Sequence, residues 1–221
     1  MDINQIPYSA IWSRLNAQGK RFVSRETIGS MAAELCRDTQ KSIDYLQRNG
    51  YLYRVFRGIF YVPDHKERAL GRPDRSIHEL VSQGLRQKGE KIWYFGMESA
   101  LALNGMTHEH FDTEYVITGS YYTGRPIDIL GKPVMVIAWK DSLLIPEAIK
   151  SIRTSHSVTI PYSDPEKTVL DLSYWRYTTR RRNVVAPLLE YGPSCDRDVL
   201  MRYLKRYPPT FRTIVGACYE S

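Results

Sequence analysis

The chain has 221 residues, 43% of them apolar, and carries 31 Lys and Arg against 24 Asp and Glu, a net charge of +7. That apolar fraction argues against wholesale disorder, and no apolar run approaches the roughly 18–20 residues that span a membrane. The start, MDINQIPYSAIWSRL, lacks the basic segment and apolar block of a secretory leader.

In chain order, PYSAIWSRLNAQG spaces Ile11, Trp12 and Leu15 as one face of a first helix, which Gly19 stops. RFVSRETIGSMAAEL follows, with Ser24 at the N-cap position and Ile28, Ala32 and Leu35 on one face. Gly29 lies inside that helix at a cost of about 1 kcal/mol relative to alanine. CRDTQKSIDYLQRNG predicts a third helix, capped by Asp38, buried through Ile43 and Leu46, and ended by Asn49-Gly50. YLYRV and IFYV then predict two strands hinged at Arg57-Gly58. Residues 1–62 therefore carry the element order of a winged helix-turn-helix. PDHKERALGRPDR, 63–75, is charged and rich in turn formers, and is expected to be a linker.

Residues 76–221 are expected to form a mixed α+β domain with a helical C-terminal tail, making the whole chain α+β. SIHELVSQGLRQKG predicts a helix, KIWYF a strand, MESALALNG a helix and TEYVIT a strand. RPIDILGKPVMVIAW holds two strands around Gly131-Lys132, and SVTIPY another. DPEKTVLDLSYW is a helix with a strong start, Asp164 at the cap and Pro165 in the first position. RRRNVVAPLLEYG, DRDVLMRYLKRY and PTFRTIVGACYES complete a helical tail. Cys36, Cys195 and Cys218 are far apart, as expected of free thiols in a reducing cytoplasm.

The charge is unevenly placed. Residues 1–62 carry nine basic against five acidic groups, as do residues 171–221, whereas residues 76–170 carry nine against eleven. A basic end fits double-stranded DNA. The polar face of the third helix offers Arg37, Thr39, Gln40, Lys41 and Arg48, side chains that reach base edges and phosphates. Arg54 and Arg57 flank the hairpin tip, and Lys20 and Arg21 lie between the first two helices. All four are placed to meet a phosphate backbone if the third helix enters the major groove. The plain alternative is a solvated helix face. Arg180, Arg181 and Arg182 form a second basic cluster, expected at a helix start, where cations oppose the dipole and phosphate contact becomes more plausible.

Enzymatic and metal signals are weaker. GSYYTGR has the glycine spacing of a phosphate loop but ends in Arg125-Pro126, without the Lys and hydroxyl that hold phosphate and magnesium. His108 and His110 make a lone H-x-H. Asp128 and Lys140 suggest a restriction-type nuclease, yet Ala138 stands where the second metal-holding carboxylate belongs. The expectation is a non-enzyme with no cofactor and no metal.

WYFGMESALALNGM (Trp93 to Met106) and IPYSDPEKTVLDL (Ile160 to Leu172) resemble the signature segments of AbiEi-type antitoxins of type IV toxin–antitoxin operons. LQRNGYLYRVFRGIFYV is similar to the end of that family's winged domain. The resemblance implies a cytoplasmic, autoregulating repressor that binds an inverted repeat in its own promoter; self-association on that DNA is a further expectation, because one winged domain covers too few base pairs to be specific. The resemblance also implies a nucleotidyltransferase-like toxin as functional partner, with no direct contact expected. A winged-helix module that binds protein instead of DNA is the remaining alternative.

Overall fold

The structure, a computed structural model, describes residues 7–219. The first six residues, on which the leader expectation partly rests, and the last two of the expected C-terminal helix lie outside the described residues. The chain is α+β and forms two compact units, divided at Gly89/Glu90.

The first unit contains α1 (Ser9–Ala17), β1 (Phe22–Ser24), α2 (Arg25–Glu34), α3 (Thr39–Arg48), β2 (Tyr53–Phe56), β3 (Ile59–Tyr61), α4 (His65–Ala69) and α5 (Ile77–Lys88). The helix starts obey local chemistry. Ser24 Oγ accepts from Thr27 N–H at 3.2 Å, and Asp38 Oδ1 from Lys41 N–H at 2.8 Å. Ile11, Leu15, Ile28, Ala32, Ile43 and Leu46 are buried together with Leu52, Phe60 and Val62. Each fully buried Ile or Leu contributes about 1.5–3 kcal/mol. The hairpin is thus carried by a core that the three helices build.

Three features of this unit depart from the sequence expectation. Phe22–Ser24 is a strand, and the sheet has three strands in the order β1-β3-β2, both pairs antiparallel. Three residues with one buried position leave no alternation to detect. The expected linker at 63–75 is also packed: α4 starts with a full capping box, Asp64 and Glu67 each accepting from the other's N–H. Glu67 is buried and accepts from Tyr61 Oη at 2.5 Å and Asp74 N–H at 2.8 Å. The charge of this segment serves local hydrogen bonds. α5, expected to open the second domain, belongs to the first unit, where it packs on β1, β2 and β3. Gly84 makes that approach possible, since a Cβ there would lie 2.8 Å from Phe56 and Val55 side-chain atoms.

The second unit contains β4 (Trp93–Phe95), α6 (Met97–Leu103), β5 (Glu114–Thr118), β6 (Ile127–Ile129), β7 (Lys132–Ala138), β8 (Ile149–Arg153), β9 (Thr159–Ser163), α7 (Pro165–Thr178), α8 (Ala186–Tyr191), α9 (Arg197–Leu204) and α10 (Pro209–Tyr219). Its six-stranded sheet runs β6-β7-β5-β4-β9-β8. The β5–β7 and β4–β9 pairs are parallel and the others antiparallel. β8 escaped the sequence reading because it is an edge strand, partly or fully exposed along its length, with Lys150, Ser151 and Arg153 among its five residues. α7 is capped by Asp164, with Pro165 first, and its residues Lys167–Ser173 are buried on every side.

Arg180–Arg182 follow the C-terminus of α7, and α8 begins only at Ala186. This corrects the placement at a helix start. Cations at a helix C-terminus complement the dipole, so the mismatch that favoured a phosphate contact there disappears. Among the described residues no helix is long and apolar enough to cross a membrane.

Candidate nucleic-acid interface

A groove of about 610 Å³ opens on the first unit, lined by Arg25, Glu26, Gln40, Ile43, Gln47, Arg54, Arg57, Gly58 and Phe60. Three elements build it. The exposed face of α3 contributes Gln40 and Gln47. The hairpin contributes Arg54 from β2 and Arg57 from its turn, both exposed. The start of α2 contributes Arg25 and Glu26.

The hairpin tip is held in place. Gly58 adopts φ +77°, a conformation that glycine reaches without strain, and its carbonyl accepts from Arg25 N–H at 2.8 Å. The Lys88 ammonium of α5 reaches the Arg57 carbonyl at 3.5 Å. The turn is thereby tied to α2 through the Arg25–Gly58 backbone bond, with the Lys88 ammonium of α5 at its other side.

One hydrogen-bonded row runs from Arg25 and Gln40 in the groove to Asp44, which lies outside its lining. Arg25 Nη1 donates to Gln40 Oε1 at 2.7 Å, and Gln40 Nε2 donates to Asp44 Oδ1 at 2.7 Å. Beside it, the Ser24 hydroxyl and Glu26's own N–H hold the Glu26 carboxyl below its usual range. The groove therefore pairs three guanidinium groups with one ionised carboxylate and two carboxamides.

The sequence-expected residues divide. Gln40, Arg54 and Arg57 come together in the groove. Lys20, Lys41 and Arg48 are exposed but do not line it. The other three serve the architecture. Arg21 donates to Asp64 at 3.0 Å and lies 3.8 Å from Glu67, which fastens the start of β1 to α4. Arg37 stacks over the Tyr8 ring at 4.8 Å. Thr39 is half-buried at the α2–α3 crossing, where a Cβ on Gly29 would lie 3.3 Å from its Oγ1. A larger residue at position 29 would therefore press on the Thr39 side chain.

Arg25 was missed. Its signal was its position: it follows the Ser24 cap directly and so puts a cation in a helix's first turn, where the dipole favours anions.

The second unit holds another ionisable cluster. Lys167 Nζ pairs with Asp171 Oδ1 one helical turn away, and both side chains are completely buried. Asp171 also accepts from Tyr207 Oη at 2.5 Å and from Tyr94 Oη at 3.0 Å. Lys167 lies 4.9 Å from the Trp139 ring. Burial pushes Lys167 down and Asp171 up, while their mutual attraction opposes both shifts. Nearby, Asp164 accepts from Tyr203 Oη at 2.9 Å, and burial pushes its carboxyl up to about 6. A reactant has no surface of Lys167 or Asp171 to touch, so the pair belongs to the core.

Asp128 and Lys140 are not brought together. Asp128 is exposed on β6, opposite Pro133, and its carboxylate accepts from Gly131 N–H at 3.2 Å. Lys140 lies beyond the far end of β7, seven residues past Pro133, roughly 20 Å along the strand direction. Among the described residues no group of three His, Cys, Asp or Glu side chains could hold a metal ion, and the three cysteines are free.

No protein-family model matches the chain, and no curated protein matches it. Among solved structures, the crystal structure of the RV2827C protein from Mycobacterium tuberculosis matches 94% of this chain and 74% of that one, with a TM-score of 0.54 and 16% sequence identity. At that identity the likeness is one of fold alone.

Proposed function

We propose that the chain is a sequence-specific DNA-binding repressor that acts in the cytoplasm as the autoregulating antitoxin of a type IV toxin–antitoxin operon. The observation that carries DNA binding is the groove: Arg25, Arg54 and Arg57 face the same space as the polar side of α3. In this proposal residues 7–62 work as a winged helix-turn-helix. α3 enters the major groove, and the hairpin arginines grip phosphate through paired donors. Lys20, Lys41 and Arg48, exposed outside the groove, add phosphate contacts on its flanks. One such unit covers too few base pairs to be specific in a genome, so two molecules occupy an inverted repeat with half-sites about 10 base pairs apart, or a multiple of that.

The antitoxin role rests on the resemblance of Trp93–Met106 and Ile160–Leu172 to AbiEi-type antitoxins. Those segments form β4–α6 and β9–α7, which supply much of the second unit's core. Their likeness therefore supports a shared scaffold more directly than a shared contact with a toxin.

The test is titration of the full chain against a duplex from its own upstream region at several salt concentrations. Lys20, Lys41, Arg48, Arg54 and Arg57 amount to roughly five phosphate contacts, for which the log–log slope of affinity against salt is about −4 to −5. A flat salt response overturns the proposal.

A further inference from the structure

The Arg25–Gln40–Asp44 row assigns roles inside the groove. The orientation of the Gln40 carboxamide follows from its partners, since arginine can only donate and an ionised aspartate can only accept. Both ends of the carboxamide are thereby engaged. One lone pair and one N–H of the carboxamide remain, but the two protein partners fix the plane in which they point. Gln40 is held as a strut between Arg25 and Asp44.

Arg25 is different. One of its five N–H donors meets Gln40, and its planar fork still has a pair of donors to offer. Its backbone N–H is anchored to the hairpin through Gly58, and its side chain is exposed. A cation in the first turn of α2 gains nothing from the helix dipole. A phosphate accepts hydrogen bonds from many directions, so gripping one needs no fixed guanidinium plane. A base edge presents two acceptors in one plane, and there a buttressed fork matters.

We infer that Arg25 is the base-reading residue of this interface, taking guanine O6 and N7 in the major groove, with Gln40 and Asp44 as positioning residues; this rests on the DNA-binding reading above. Arg54 and Arg57 then supply phosphate contacts from the hairpin.

The experiment is selection from a pool of random-sequence duplexes by the full chain and by Arg25→Lys and Asp44→Ala. All three positions in the row are exposed, and thermal melts of the variants are expected to match the unaltered protein. The unaltered chain should enrich duplexes with a guanine at one fixed position of each half-site. Arg25→Lys keeps the charge and loses the fork. It should bind the unselected pool within about twofold of the unaltered chain, because that affinity follows neutralised phosphate charge. Its discrimination for guanine at that position should fall by roughly 5- to 150-fold, the worth of one bidentate contact. Asp44→Ala should relax the same position to a smaller extent and no other, which a merely structural role would not do.

Arg25→Lys enriching the same guanine as strongly overturns the inference, as does an equal loss on selected and unselected duplexes, which marks a phosphate contact. An unaltered chain that binds duplex without preference also overturns it, while leaving general DNA binding intact. Absence of any duplex binding by the unaltered chain removes the DNA-binding reading itself, and this inference with it.

Discussion

The two units use charge in opposite ways. In residues 7–89, three arginines line the wall of an open groove, and the one carboxylate beside them is held ionised. In residues 90–219, Lys167 and Asp171 are completely buried, enclosed by Tyr94, Tyr207 and Trp139. Exposed charge gains little from its own chain and is available to an outside partner. Buried charge must be satisfied from within, because desolvation costs several kcal/mol per ion. By the same reasoning the groove is a place to look for function, and the buried cluster is a place where the fold is most easily broken.

The largest effect should come from splitting the buried pair. Lys167→Met leaves Asp171 sealed without its cation, and the expected loss of stability is about 3–5 kcal/mol. Replacing both residues with apolar ones of similar volume should recover most of that loss. Denaturant unfolding followed by the fluorescence of the second unit's tryptophans measures both. A small effect for Lys167→Met would mean that Asp171 is carried by its tyrosines alone.

Next is Gly84→Ala, which tests where the first unit ends. The added Cβ would meet Phe56 and Val55 side-chain atoms at 2.8 Å, and overpacking of this kind costs typically about 1–3 kcal/mol. On an unpacked α5 the same change would instead stabilise, by close to 1 kcal/mol of helix propensity. The sign of the shift in the melting curve decides between them.

Arg57→Ala should leave stability unchanged, because the side chain is exposed. It should weaken binding to an operator duplex and to a scrambled duplex by similar factors, and lower the salt slope by about one unit. If both titrations stay unaltered while the protein remains folded, the hairpin arginines do not meet phosphate, and the contrast between the two units loses its functional half.

The last expected effect is confined to a pH window and concerns Asp164. Burial raises its carboxyl from the ordinary 3.8 to about 6. A raised acid favours the folded state when protonated, so its contribution is present below about pH 4 and is lost as pH rises through about 6. Asparagine is an equally good N-cap and carries no charge. The melting temperature of Asp164→Asn, taken relative to the unaltered protein, should therefore rise between about pH 4 and pH 7. A constant difference would show that Asp164 titrates at its ordinary value.

Several elements were legible because their causes are local. Ser24, Asp38 and Asp164 each cap a helix through an N–H three residues on, and sequence spacing alone shows such a contact. The three helices followed from apolar periodicity and the hairpin from β-formers on either side of Arg57-Gly58, whereas the strand between α1 and α2 did not show. β8 and β1 were not legible, since short strands with few buried positions carry no alternation. Of the expected interface, Gln40, Arg54 and Arg57 could be named from residue type and position. The structural roles of Arg21, Arg37 and Thr39 could not, because their partners Asp64, Tyr8 and Gly29 are distant in sequence.

The sequence by itself determined where helices begin, which faces they bury and that the chain's ends are basic, because these depend on neighbours within a turn or two and on composition. Only the tertiary structure decided which charges remain available. It gave Arg21 to Asp64, 43 residues away, sealed Lys167 against Asp171 inside a helix buried on every side, and set Arg25 against Gln40 across the crossing of α2 and α3. Whether a charged side chain is a strut, a core element or a contact depends on what packs within a few ångströms of it, and distant segments of the chain supply those neighbours.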